Sequence, residues 1–298
     1  QNLTVGGIDP ETGEDASNEL TYIVLDATAN TRLTQPSLTA RMHKKAPERY
    51  RMRVAEVIRL GTGYPAVFSD EAYIPALVNR GYSLEDASDY CIIGCAEAGP
   101  AGLLAGRTGG AWLNLTKILE MTLHNGNDPR SGKSLNPNEC GRSLAEFDSF
   151  DGLWDAFLKQ LDYYISLEMI MENTIDNLFA AYMEEPLAAA FGCPTTTIPR
   201  GLPMKKGDGK YDFTGQQTIG CANVANSLAA VRKLVFEDKV ITGEQLLHAL
   251  KTSFSDETTK PTGEQIRQMC LNAPKYGNDE EMVDNLAREA ALIYFREV

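Results

Sequence analysis

Cys95 and Glu97 are the residues of this chain whose types and spacing could do chemistry together. They lie in the stretch Asp89-Tyr90-Cys91-Ile92-Ile93-Gly94-Cys95-Ala96-Glu97-Ala98-Gly99, entered from an apolar run and left through glycine. In an extended segment, positions i and i+2 point to the same face, roughly 6.5 to 7 Å apart along the backbone. A sulfur and a carboxylate placed that way would flank one small substrate, the thiol reacting with it and the carboxylate accepting a proton. Either residue alone has a plainer meaning. A free cysteine is more often a small core hydrophobe, and a glutamate is more often a solvated charge. If glycine turns bury Glu97, desolvation makes it a better base than a solvated carboxylate, as general-base chemistry near neutrality requires.

Other groups that could do chemistry carry less. Cys91 belongs to the apolar approach to the pair and reads as core. The six cysteines (91, 95, 140, 193, 221 and 270) are too sparse for a disulfide framework. Cys91 and Cys95 lack the further cysteines of a zinc or iron–sulfur site, and His43, His124 and His248 are far apart, so no metal is expected on this chain. Gly102 and Gly106 around Arg107 invite a phosphate-loop reading, but three residues separate them and no Gly-Lys-Ser/Thr follows. A flexible loop is the expectation there.

The elements that must position the pair follow from periodicity and punctuation. Residues 1–17 read as turn-rich coil. A helix is expected from about Asn18 to Asn30, with Leu20, Ile23, Val24 and Ala27 making a buried face. Leu38, Ala40 and Met42 alternate as in a strand, Pro47 opens a helix that stops at Gly61, and residues 65–68 read as a short buried strand. A helix from Asp70 to about Gly81 follows, and Ser83 with Asp86 starts the helix that leads into the pair. Beyond it, helices are expected over 112–124, 150–185 (one or two), 223–236, 242–253, 261–272 and 278–297. Tyr211 to Gly220 reads as extended, and 125–142 and 191–209 as irregular chain.

Gly94-Cys95-Ala96-Glu97 resembles the Gly-Cys-x-Glu loop of the glycyl radical enzymes, the superfamily of pyruvate formate-lyase and of the diol and choline lyases. The resemblance extends to Gly61-Thr62-Gly63-Tyr64-Pro65, Tyr82-Ser83-Leu84-Glu85-Asp86-Ala87 and Phe213-Thr214-Gly215. It continues in Asn223-Val224-Ala225-Asn226-Ser227-Leu228-Ala229-Ala230 and Ala273-Pro274-Lys275-Tyr276-Gly277-Asn278-Asp279. It implies an α/β fold, a helix-rich portion of the ten-stranded barrel of that family, with residues 1–298 forming one partial catalytic domain. It also implies a thiyl radical on Cys95, Glu97 as general base, and Thr214 and Gln216 near the substrate; polar residues beside glycine could equally cap a turn. Arg107, Asn114 and Lys275 read as structural.

Two departures bear on what is expected. Ala98 stands where many dehydrating members carry proline, and the run after it lacks their Trp-His-Asp-like sequence, which leaves the substrate open. Gly94, where formate-lyases have a first of two adjacent cysteines, points away from that branch. No Arg-Val-x-Gly-like segment precedes Val298, so the glycine radical domain is expected to be absent and this stretch inactive alone. The resemblance implies an anaerobic lyase or dehydratase acting on a small polar substrate. Its cofactor is none bound by this chain but a glycyl radical installed by a radical S-adenosylmethionine activating enzyme with an iron–sulfur cluster, and its partner a second copy of itself. A carbon–carbon bond-forming or decarboxylating enzyme, or an inactive scaffold, are the rivals.

Bulk properties agree with a globular enzyme. Forty-three per cent of the 298 residues are hydrophobic, enough for a sizeable core. A formal charge of -13 and a pI near 4.8 disfavour nucleic acid and anionic membranes as partners. The absence of a long apolar run or secretion signal gives a cytoplasmic expectation.

Overall fold

The computed structural model describes residues 2–104, 106–134, 136, 141–182, 197–201 and 209–297. Helices and strands mix along the whole chain, with helices dominant, which is the α/β composition the sequence implies. Two compact units form: residues 1–110 with 174–215, and residues 111–173 with 216–298.

The first unit is built on a parallel sheet of β1 (Asn2–Gly6), β2 (Ser37–Met42) and β3 (Ala66–Ser69), in that order. Leu3 pairs with Leu38 and Ala40 with Val67. The crossovers are α1 (Glu19–Thr31), capped by the Asn18 side chain, and α2 (Glu48–Ile58). Leu25 of α1 and Tyr50, Val54 and Val57 of α2 bury against Leu38 and Ala40, the pattern of a parallel strand covered by helices. The buried face expected of α1 is corrected: Leu20 and Ile23 are exposed, and the helix turns Thr21 and Leu25 inward, because contact with the sheet and α2 rather than the apolar spacing alone selects the face. β1 corrects the coil expected over 1–17. Its alternation is only five residues long and ends in Gly6-Gly7, so pairing with β2 rather than its own pattern makes it a strand.

From β3 the chain enters α3 (Asp70–Asn79) and α4 (Leu84–Ser88), whose start is fixed by Ser83 Oγ accepting the Asp86 N–H. It then forms an antiparallel hairpin of β4 (Tyr90–Ile93) and β5 (Glu97–Pro100). A small core of Phe68, Ile74, Tyr82, Ala87, Tyr90 and Ile92 lies beneath it.

In the second unit, α5 (Leu115–Leu123), α6 (Phe150–Tyr182), α7 (Cys221–Val231), α8 (Gly243–Lys251), α9 (Gly263–Asn272) and α10 (Glu281–Glu297) supply the core. Leu115, Leu153, Phe157, Leu161, Val224, Leu228 and Ala290 are fully buried in it. Deleting such a leucine or phenylalanine side chain typically costs about 2 to 5 kcal/mol. The helical spacing of these positions is why the helices were legible. Residues 150–182 are one helix, and α7 continues into a wider π-type turn over Arg232–Glu237.

Trp112 is not helical, contrary to the expected helix over 112–124. It belongs to β6 (Arg107–Asn114), and the helix starts at Leu115, where Asn114 Oδ1 accepts the Lys117 N–H. The same strand occupies part of what read as a flexible loop. β6 pairs with β7 (Thr214–Ile219), and the chain passes from one unit to the other within β6, α6 and β7. The irregular stretch expected over 191–209 lies outside the described residues apart from 197–201 and Gly209.

Candidate active site

Cys95 sits at the tip of the β4–β5 hairpin, in the three-residue turn Gly94-Cys95-Ala96 between the paired residues Ile93 and Glu97. The extended arrangement expected for Cys95 and Glu97 is therefore replaced by a turn, and the two are brought together differently. Glu97 Oε2 accepts the backbone N–H of Cys95 at 2.8 Å and that of Ala96 at 3.0 Å. The carboxylate folds back under the cysteine, and one of its oxygens satisfies both N–H groups of the turn. Glu97 is only half-buried, so burial between glycine turns is not what shapes it. Cys95 itself is exposed.

Gly94 makes this turn possible. Its φ is +63°, and a Cβ placed on it would lie 2.8 Å from Glu97 Oε2. Any side chain there is strained and collides with the carboxylate. The turn is held from outside as well. Asn2 clamps the peptide of Gly94, its Nδ2 donating to Gly94 O at 2.6 Å and its Oδ1 accepting Gly94 N–H at 3.2 Å. Tyr73 Oη donates to Ala96 O at 3.3 Å. Burial, then the Glu97 charge, push the Tyr73 phenol upward in pKa, which keeps it a donor. Thr4 Oγ1 accepts Ile92 N–H, so two polar side chains of β1 hold β4 and the turn that follows it.

The base of the hairpin rests on a buried ion pair. Arg41 and Asp70 are 5% and 1% exposed, and Arg41 Nε and Nη2 reach the two Asp70 oxygens at 2.9 and 3.0 Å. Nη1 also donates to Tyr90 O and Nη2 to Ser88 O. Asp70 also accepts the Tyr90 hydroxyl and the Ile8 N–H. Such a pair repays its desolvation only when all these bonds are made. Tyr73 stacks on Tyr90 with ring centroids 5.4 Å apart, linking this network to the turn. Cys91 points elsewhere: half-buried, its Sγ lies 3.5 Å from Gly99 O, and burial pushes its thiol up in pKa. The core role read from the sequence is thus corrected: strand alternation turns Tyr90 and Ile92 into the core and leaves Cys91 on the opposite, half-buried face.

The other candidates lie on β7. Tyr211 stacks on Tyr82 and the Arg107 N–H donates to Phe213 O, which fixes where β7 begins in the first unit. Thr214 Oγ1 donates to Asp176 Oδ2 at 3.1 Å, and Asp176 Oδ1 is 3.2 Å from Arg107 Nε. Arg107 thus has the structural pairing expected of it. Gln216 falls in the second unit, its Nε2 3.3 Å from Met169 Sδ and its Oε1 3.4 Å from the Tyr294 hydroxyl. Both residues are in a strand rather than capping a turn. Asn2, Tyr73, Arg41, Asp70 and Asp176 escaped sequence reasoning, since each acts through a partner distant in sequence. No group of three or more His, Cys, Asp or Glu among the described residues is arranged to hold a metal ion.

A pyruvate formate lyase-like family profile matches residues 1–298. The chain is 37% identical over 302 residues to the probable dehydratase YbiW of Escherichia coli, covering 100% of this chain and 36% of that protein. It is 35% identical over 303 residues to the isethionate sulfite-lyase of Oleidesulfovibrio alaskensis, covering 98% and 34%. Its fold superposes on the glycerol-bound B12-independent glycerol dehydratase of Clostridium butyricum with a TM-score of 0.88 at 39% identity, covering 100% of this chain and 36% of that one. The chain therefore spans about a third of the length of these relatives.

Proposed function

Because the chain belongs to the pyruvate formate lyase-like family of glycyl radical enzymes, we propose that its full-length protein is a radical lyase or dehydratase of a small polar substrate, with Cys95 as the hydrogen-atom carrier and Glu97 as general base. The observation that carries this reading is the hairpin turn, which presents Cys95 outward and folds the Glu97 carboxylate onto the N–H groups of Cys95 and Ala96.

In the proposed sequence, Cys95 gives its thiol hydrogen to the glycyl radical. The resulting sulfur radical takes a hydrogen atom from a substrate carbon. Glu97 accepts the proton of the hydroxyl on that carbon while the neighbouring group leaves with its bonding electrons. The product radical recovers a hydrogen atom from Cys95. General-base help of this kind is worth about 10² to 10⁴ in rate. Glycyl radical enzymes as a family are activated by radical S-adenosylmethionine activases, so the partners proposed here are such an activase and a second copy of the chain. Thr214 and Gln216 are proposed to line the substrate side of β7.

The test uses the full-length protein activated by its activase. Cys95→Ala and Glu97→Gln should each abolish most turnover while the glycyl radical signal in electron paramagnetic resonance stays at parental yield. Turnover by Cys95→Ala would overturn the proposal. Turnover by Glu97→Gln within a few-fold of the parent would remove the base and favour a decarboxylating or bond-forming reaction.

A further inference from the structure

The side chain of Thr214 is held in one hydrogen-bonding polarity. Asp176 lies between Arg107 and Thr214, one oxygen 3.2 Å from the guanidinium Nε and the other 3.1 Å from Thr214 Oγ1. Arg107 and Asp176 form an ion pair, so the oxygen that Asp176 turns to Thr214 is a carboxylate oxygen, an acceptor only. The one hydroxyl proton of Thr214 is committed to Asp176, and what Thr214 can offer any other group is its lone pairs. The three residues come from β6, α6 and β7, and the Arg107 N–H to Phe213 O bond sets the register between the flanking strands. These partners leave the hydroxyl little freedom to reverse.

We infer that Asp176 is a positioning residue that makes Thr214 an obligate hydrogen-bond acceptor, so that the site selects substrates presenting an O–H or N–H donor to β7 and rejects isosteres that can only accept. The inference rests on the reading that β7 borders the substrate. It goes beyond it by naming the group selected for and the residue that does the selecting.

The experiment measures binding to the full-length protein by calorimetry, with glycerol as the donor ligand and 3-fluoropropane-1,2-diol and 2-fluoropropane-1,3-diol as acceptor-only isosteres at each carbon. Parent protein should prefer glycerol over at least one isostere by about tenfold, the worth of one hydrogen bond whose loss strands a polar group. Thr214→Val should bring that ratio to within about twofold, and Thr214→Ser should restore it. Asp176→Asn is the decisive variant. Its amide oxygen faces Arg107 and its NH₂ faces Thr214, so the hydroxyl becomes a donor outward and the preference should reverse toward the fluorinated ligand. A purely structural Asp176 would weaken all three ligands together and leave the ratio unchanged. An unchanged ratio in Thr214→Val or Asp176→Asn, or a parent that binds glycerol no better than either isostere, overturns the inference. Thr214→Val binding every one of the three ligands as tightly as the parent does would overturn the underlying reading as well, whereas affinities that change together at a constant ratio overturn the inference alone.

Discussion

Replacing Gly94 by alanine should disable the site without touching either chemical group. The backbone at Gly94 has φ +63°, a left-handed conformation that costs an L-residue about 1 to 2 kcal/mol. The new Cβ would stand 2.8 Å from Glu97 Oε2 and 3.3 Å from Cδ, so the carboxylate must swing away. Its movement breaks the bonds to Cys95 N–H and Ala96 N–H. Hydrogen bonds to a charged group are worth about 1.5 to 3 kcal/mol when buried, and less in this half-exposed turn. The turn is thereby loosened by about 2 to 4 kcal/mol in all. A carboxylate displaced by about 1 Å costs on the order of 10² in rate. The assay is kcat/KM of the activated full-length protein, with radical yield measured alongside to separate chemistry from activation. Gly94→Ala should lose about 10²-fold with radical yield intact, and a loss smaller than about threefold would refute the argument that Glu97 needs this seat.

The core beneath the turn should be equally sensitive. Asp70→Ala leaves the buried Arg41 without its partner and should lower unfolding free energy by about 3 to 5 kcal/mol in urea titration; a loss under about 1 kcal/mol would contradict the role given to the pair. Tyr73→Phe removes only the bond to Ala96 O and should cost about 0.5 to 1.5 kcal/mol, read by the same titration. Brief alkylation of folded protein, followed by peptide mass spectrometry, should label exposed Cys95 well before half-buried Cys91, whose thiol burial holds protonated. Equal labelling rates would mean the turn is not the structured element described. In the second unit, burial and then the nearby Glu172 charge raise the Glu168 carboxyl above its ordinary 4.5, against the lowering effect of the Tyr294 bond. Its folded pKa exceeds its unfolded one, so stability is full below about 4.5 and falls as pH rises through the folded value. Glu168→Gln should flatten that fall in a pH series of thermal melts.

What the sequence revealed and what it hid divide along physical lines. The helices were legible because apolar residues such as Leu153, Phe157 and Leu161 recur at helical spacing and local caps such as Ser83 mark the starts. β6 was not, because Gly109 and Gly110 erase its alternation and the strand exists through its pairing with β7. β1 was hidden for the same reason. The reacting pair was legible because Cys95 and Glu97 are neighbours in sequence, whereas their supports are not. Asn2 reaches Gly94 across 92 residues, and Arg41 reaches Asp70 across 29. Asparagine, tyrosine and arginine are ordinary types, and nothing local marks the ones that hold a loop.

The expected geometry of the pair failed for a reason that is itself local. An extended strand would leave the N–H groups of residues 95 and 96 to a neighbouring strand, but β4 and β5 pair with each other and put both groups in the turn. Those donors need an acceptor, and the first side chain past the turn long enough to fold back is Glu97. Its return path crosses the position a Cβ would take at residue 94, so glycine three residues before the glutamate is part of the same device. Gly94, Cys95 and Glu97 therefore form one unit in which the glycine admits the carboxylate, the carboxylate holds the turn and the turn exposes the thiol. That dependence makes the tetrapeptide more informative than the cysteine and carboxylate taken separately, and it requires that Gly94→Ala and Glu97→Ala be less than additive in the stability they remove, since each abolishes the same two hydrogen bonds.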